Sequence, residues 1–221
     1  MPWKIIDVAI ATALVFVGFL VALGLFGLAI DVVGTEEGTV LTPWLGTILE
    51  GLLVVAVWAF GVRKYGARWQ TLGLGPPKAR WSFALPWLAL IGSLGFAGVY
   101  VAVVTALGMD SFLPPPIPQD VLGHGISKLL STLVIVLGAP FAEEVFFRGF
   151  LLAALVPPLG PMRAAVVSAA TFAAAHILLS TMLPIFVTGL LLSWLYLRTR
   201  SIWPPIMAHA AQNLIAVSIA W

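Results

Sequence analysis

The sequence predicts an all-α fold, a polytopic transmembrane bundle of about seven helices around a polar intramembrane cavity. Three observations carry this expectation: composition, the spacing of apolar stretches, and the alternating charge of the segments between them. Hydrophobic residues make up 61% of the 221 and charged residues 9%, against roughly 45–50% and 25% in an ordinary globular domain. One soluble core of this size would still need a polar coat, so lipid must be the outer solvent. A formal charge of +2, with its basic residues scattered, gives no footprint for nucleic acid. The chain has no cysteine. Disulfides, thiolate nucleophiles and Cys-ligated metals are excluded together, while the redox compartment stays open.

A bilayer core of about 30 Å needs about 20 apolar residues as helix. Approximate spans fall at 8–30, 41–62, 81–107, 129–156, 164–182, 183–197 and 202–221. The first follows Lys4 and holds 23 uncharged residues from Val8 to Ile30. That exceeds the roughly 7–15 of a signal-peptide core, and no clear small-residue cleavage site follows, so a retained span is expected. The second carries Glu50 in its middle, where a structural partner or a shifted boundary is the plainer reading and water access the other. The fourth is interrupted by Glu143, Glu144 and Arg148 and is expected to kink or to lead into a re-entrant helix. Only a weak Ser180–Pro184 turn signal separates the fifth from the sixth. No internal repeat is visible, and residues 1–221 read as one integral membrane domain whose motif-bearing part is about 128–221.

The segments between spans test this division. Residues 31–40 carry Asp31, Glu36 and Glu37 with no base, whereas 63–80 carry Arg63, Lys64, Arg68, Lys78 and Arg80 with no acid. The Pro-rich stretch 108–128 has Asp110 and Asp120 against Lys128, and its His124, between two glycines, reads as incidental. Arg163, then Arg198 and Arg200, mark the later turns. Under the positive-inside rule this places the N-terminus in the cytoplasm and the C-terminus outside. Trp3, Trp44, Trp69, Trp81, Trp203 and Trp221 lie near span ends, where interfacial aromatics belong.

Ionisable groups within a span cost about 2.5–3.5 kcal/mol each on insertion scales, so each needs a reason. Most fall into three short patterns: Glu143-Glu144-Val-Phe-Phe-Arg148, Phe172-Ala-Ala-Ala-His176 and His209-Ala-Ala-Gln-Asn213. Glu144 and Arg148 are four residues apart, share a helix face and can pair. Glu143 points about 100° away from Glu144 and can face a cavity instead. His209 and Asn213 repeat the four-residue spacing and would offer two hydrogen-bond donors to one point. Phe172, one turn before His176, can wall that histidine's site. Runs of alanine beside each histidine permit close helix approach. At 1.5 Å per residue, Glu143 lies roughly 22 Å from Lys128 and His209 about 13 Å from Arg200, counted from opposite faces, so the two depths agree. His176, some 20 Å from Arg163, sits further out and needs a tilted or broken helix to join them.

Taken together, EEVFFR, FAAAH and HAAQN resemble the EExxxR, FxxxH and HxxxN motifs of the CAAX protease and bacteriocin-processing family. Its eukaryotic members include the Ras-converting type II CAAX prenyl endopeptidase. The resemblance is anchored in residues 143–213; residues 1–120 add only hydropathy. It implies a glutamate-dependent intramembrane endopeptidase that needs no metal or other cofactor. Glu143 with His176 would activate a water, and His209 with Asn213 would stabilise the oxyanion. Glu144, Arg148 and Phe172 would support the site. The implied substrate is a peptide or lipidated protein at the membrane, and the implied location is the cell membrane of a prokaryote. Substrate identity and oligomeric state are open.

The residues alone leave rivals standing. Glu143, His176 and His209 are proper zinc ligands, although HExxH, paired intramembrane aspartates and GxSG are all absent. A catalytically silent immunity or scaffold protein would share the resemblance without turnover. A proton-coupled transporter could use the same groups as a relay.

Overall fold

A computed structural model describes residues 1–33, 35–78, 82–116, 122 and 125–220, with side chains at 30–43 outside the description. His124, Asp120, Arg80, Trp81 and Trp221, and the side chains of Asp31, Glu36 and Glu37, lie outside the described residues. Most of the described residues are helical, and no strand occurs among them. The protein is an all-α integral membrane bundle.

In order, α1 is Ile5–Val33, and α2 is Thr35–Val57, continued by a π-helical turn over Trp58–Arg63. A 3₁₀ turn at Trp69–Leu72 leads to α3, Leu85–Ala106, which carries Pro86 in its first turn, where the missing N–H costs nothing. Next comes one long helical path. It begins as α4 (Gly125–Leu133), loosens into a π-helical segment at Val134–Gly138, and tightens into α5 (Ala139–Glu144). It loosens again at Val145–Leu152 and runs on as α6 (Ala153–Ala175). Last are α7 (Leu179–Thr199) and α8 (Trp203–Ala220).

Five helical stretches among the described residues are long and apolar enough to cross a membrane. One of them, Gly125–Ala175, has 51 residues. At 1.5 Å each, that is about 77 Å, more than twice a bilayer core. It folds back at Gly160, whose φ of 75° and ψ of 164° lie outside helical space, among Pro157, Pro158 and Pro161. The expected fourth and fifth spans are the two legs of this path. The final helix has only 18 residues, and Pro204, Pro205, His209, Gln212 and Asn213 dilute its apolar character. Seven spans is therefore approximate.

Two boundaries differ from the sequence expectation. Residues 31–40 are not a loop, because α1 runs to Val33 and α2 begins at Thr35; acids in the first turn suit a helix start. The apolar part of α2 still begins at Trp44. The break between the fifth and sixth spans lies at His176–Leu178, not at Ser180–Pro184. There Ile177 takes a φ of 62° and Leu178 is extended. Pro184 instead sits inside α7 and cannot donate to the carbonyl of Ser180 four residues back. The Tyr100 hydroxyl on α3 donates to that carbonyl at 3.0 Å, so the proline is tolerated.

Packing centres on Val145–Leu152, where all eight residues are buried. α6 lies along α7, α1 along α2, and α3 against α7 and α8. Gly149 makes the closest approach: a Cβ there would stand 2.7 Å from the Leu72 carbonyl oxygen. Large apolar side chains such as Leu25, Leu28 and Ile91 face outward, as lipid rather than water would allow. At the start of the chain, the Trp3 indole donates to the Phe150 carbonyl at 3.0 Å. Lys64 and Tyr65, beyond the end of α2, both donate to the buried carboxylate of Asp7. That bond holds the Lys64 ammonium above its ordinary pKa.

Candidate active site

The three motifs converge. The α5 helix and the π segment after it supply Glu143, Glu144 and Arg148, the end of α6 supplies Phe172 and His176, and α8 supplies His209 and Asn213. The pair read from spacing is present. Arg148 Nη1 donates to Glu144 Oε1 at 2.8 Å, and both side chains are wholly buried. Arg148 Nη2 also donates to the Gly189 carbonyl at 3.2 Å. Its guanidinium lies 4.4 Å from the centre of the Phe172 ring, a cation–π contact in a desolvated setting. Breaking such a pair on one side costs about 3–5 kcal/mol, because a lone charge is left buried.

His209 joins this pair to Glu143. Its Nδ1 donates to Glu144 Oε1 at 3.1 Å, and its Nε2 stands 3.6 Å from Glu143 Oε2. The second distance is an ion-pair separation and too long for a direct hydrogen bond. Glu143 is the less buried carboxylate, with a side chain 16% exposed, yet its Oε2 is buried without a hydrogen-bond partner. The two adjacent glutamates are thus divided as their angular offset requires. Glu144 is engaged by a guanidinium and an imidazole, and Glu143 is left to a cavity.

That cavity has a volume of about 600 Å³, and its walls are mostly apolar. Glu143 and His176 both line it, with Thr12 and Thr171, and Phe16, Phe19, Leu53 and Phe146 are among its apolar walls. His176 Nδ1 lies 2.9 Å from the Phe172 carbonyl. A carbonyl only accepts, so Nδ1 carries a proton, and in the neutral ring Nε2 is the nitrogen left to present a lone pair. Phe172 meets both histidines edge-on, with ring centres 4.9 Å from His176 and 5.8 Å from His209. It is a wall shared by all three motifs.

Asn213 is placed differently from the expectation. Its Nδ2 donates to the Ile135 carbonyl at 2.9 Å, and His209 is turned to the two carboxylates. The two groups lie on one helix face, but in this state they do not aim at one empty point. The Ile135 carbonyl that takes this bond lies in the π-helical segment Val134–Gly138.

Sequence reasoning missed three contributors. The first helix lines the cavity through Ala9, Thr12 and Ala13, which no motif marks. Gly189 supplies the second acceptor for Arg148. A Cβ there would come within 3.0 Å of Ala169 and 3.3 Å of Phe172. Its only sequence signal was a glycine inside an apolar helix, which costs about 1 kcal/mol unless close approach repays it. Ile135 acts through its backbone and had no signal at all. Among the described residues, no group of three or more His, Asp or Glu side chains is arranged to hold a metal ion.

Comparison with known proteins agrees with the motifs. Residues 125–215, which include all three, match the family model described as "Type II CAAX prenyl endopeptidase Rce1-like". The chain is 29% identical over 137 residues to "Putative membrane peptidase YdiL" of Bacillus subtilis (strain 168). The aligned stretch is 62% of this chain and 54% of that protein, so the chain spans about half the length of the curated relative it matches. No solved structure matches.

Proposed function

We propose, starting from a motif-bearing region that is Rce1-like, that the chain is an intramembrane endopeptidase acting on a peptide or lipidated-protein segment at the membrane. The observation that carries this reading is the division of labour between two adjacent glutamates. Glu144 is engaged by Arg148 and His209, while Glu143 opens on a cavity that also holds the His176 ring. A carboxylate and an imidazole lone pair beside an apolar cavity suit the deprotonation of a water molecule.

In the reaction, water attacks the scissile carbonyl carbon and its proton passes to Glu143, aided by His176. The negative charge on the tetrahedral intermediate is met by donors from His209 and Asn213. Both are released for that work if substrate displaces Asn213 from Ile135 and draws His209 Nε2 from Glu143. Collapse expels the amine, which takes the proton. The basic segments at 63–80 and 198–200 favour a cytoplasmic N-terminus.

Purified protein is to be incubated with a prenylated CAAX peptide and with unmodified apolar peptides, and cleavage followed by mass spectrometry. Glu143→Gln and His176→Ala should each lower turnover by about 10²–10⁴ while leaving the fold intact. Wild-type turnover in Glu143→Gln would remove Glu143 as the base, and no cleavage by the wild type would favour a silent scaffold. Prolonged dialysis against a strong chelator should leave turnover unchanged. Loss restored by zinc, with about one metal bound per chain, would replace the water-activating role of Glu143 with a metal centre.

A further inference from the structure

Hydrolysis consumes one water per bond, and the large cavity is poorly suited to supply it. Its walls are mostly apolar, and a bound peptide would fill the space beside Glu143 and His176. Another set of polar groups runs outside that cavity, along the seam where α2 packs beside the path from α4 to α5.

At the end where both spans begin, Thr47, Ser127 and Ser131 line a small cavity of about 30 Å³. One water needs roughly 10–15 Å³ by this measure, so the space takes one or two. Ser131 is 4% exposed, and neither its Oγ nor the Oγ1 of Thr132 has a hydrogen-bond partner. This is unusual within the chain. A helical hydroxyl ordinarily bonds the carbonyl four residues back, as Thr12, Thr171, Thr188, Ser193, Thr199 and Ser218 all do. One turn beyond Thr47 on α2 is Glu50, which belongs to no motif and does not line the large cavity. Its Oε2 rests against Gly138, where a Cβ would stand only 3.1 Å away. Ser131 and Gly138 are about 10 Å apart along the helix. Gly138, against which Glu50 rests, lies five residues before Glu143, about 7.5 Å along the helical path, and the buried Oε2 of Glu143 also lacks a hydrogen bond.

We propose that this seam, from Ser131 past Glu50 to Glu143, is a water conduit that feeds the site while substrate occupies the apolar cavity. The proposal rests on the peptidase reading above. It names the supply of that reaction's second substrate.

The absence of native cysteine allows a direct test. Single variants Ser131→Cys, Glu50→Cys and Leu137→Cys are reconstituted in vesicles and exposed to silver ion in chloride-free buffer. Silver ion is close to water in size and does not partition into lipid. Remaining thiol is then counted after denaturation. Leu137 lies on the same helical path but faces outward. Cysteines at 131 and 50 should react at least about tenfold faster than the one at 137; equal rates overturn the conduit. In parallel, Ser131→Leu should lower kcat with KM unchanged, and Ser131→Thr, which keeps the hydroxyl, should restore it. Rapid silver reaction with an unchanged kcat in Ser131→Leu also overturns the proposal, because the seam would then be wet without serving hydrolysis. Wild-type protein that cleaves nothing would sink the peptidase reading alone, and the silver rates would still decide whether the seam admits water.

Discussion

Arg148 is the side chain on which the charge balance of the site turns. It is fully buried, and its neighbours are one carboxylate, one carbonyl and two aromatic rings. Arg148→Ala would strand Glu144 in a low-dielectric pocket and should destabilise the protein by about 3–5 kcal/mol, read by thermal or denaturant unfolding in detergent. Arg148→Lys keeps the charge but loses the planar fork that reaches Glu144 and Gly189 together, so only partial recovery is expected. Unfolding unchanged in both Arg148→Ala and Glu144→Ala would show that the pair carries no structural load. Half of this arrangement was legible in the sequence. The four-residue spacing gave the Glu144–Arg148 pair, and the angular offset gave the different fate of Glu143. The third partner was not legible, because His209 reaches Glu144 across 65 positions, and only the packing of α8 brings it there.

At the scale of the element, the path from Gly125 to Ala175 shows why periodicity located its charged residues but not its shape. A stretch rich in Leu, Val and Phe reads the same at 3.6 residues per turn as at the larger number of a π turn, so the two π-helical segments leave no mark on hydropathy. The fold-back at Gly160 was anticipated as the turn between the fourth and fifth spans, before Arg163. Pro184 misled in the opposite direction, since a proline reads as a boundary unless a neighbouring helix supplies a donor to the carbonyl four residues before it, as Tyr100 does for Ser180. The close approach of Gly149 to Leu72 is testable here. Gly149→Ala puts a methyl group 2.7 Å from a backbone oxygen and should cost about 1–3 kcal/mol as the Trp69–Leu72 turn is pushed away. Gly95→Ala on α3, which has nothing within 4 Å, is the control and should be neutral or stabilising, since alanine is the better helix former. Equal effects in the two variants would mean that the contact yields freely.

For the whole molecule, composition alone supported a helical bundle in lipid, but it could not say that the first helix forms a wall of the site. That role follows from how α1 is tied down. Trp3 is stitched to Phe150, and Asp7 is held by Lys64 and Tyr65. Because Asp7 holds the Lys64 ammonium above its ordinary pKa, this tie does not weaken as pH rises through neutrality. Asp7→Asn removes the charge and should let α1 drift from the cavity it lines. A loosened wall weakens ground-state and transition-state binding together, so KM should rise several-fold, by about 3–10, with kcat little changed. Peptide-cleavage kinetics decide this, and a fall in kcat at unchanged KM would show that the tie acts on the chemistry instead.

The π-helical turn at Val134–Gly138 has a consequence for how a gene of this kind can change. A π turn holds one residue more than a regular turn, so losing one codon there would restore an ordinary helix and leave both flanks facing as they do now. The same loss within α7 would swing every later residue on that helix by about 100°. The first deletion would pass almost unnoticed in the fold, yet the Ile135 carbonyl would no longer meet Asn213 at its present angle. A lineage could thus keep the membrane bundle and lose the setting of its last motif in a single step, with every motif letter still in place.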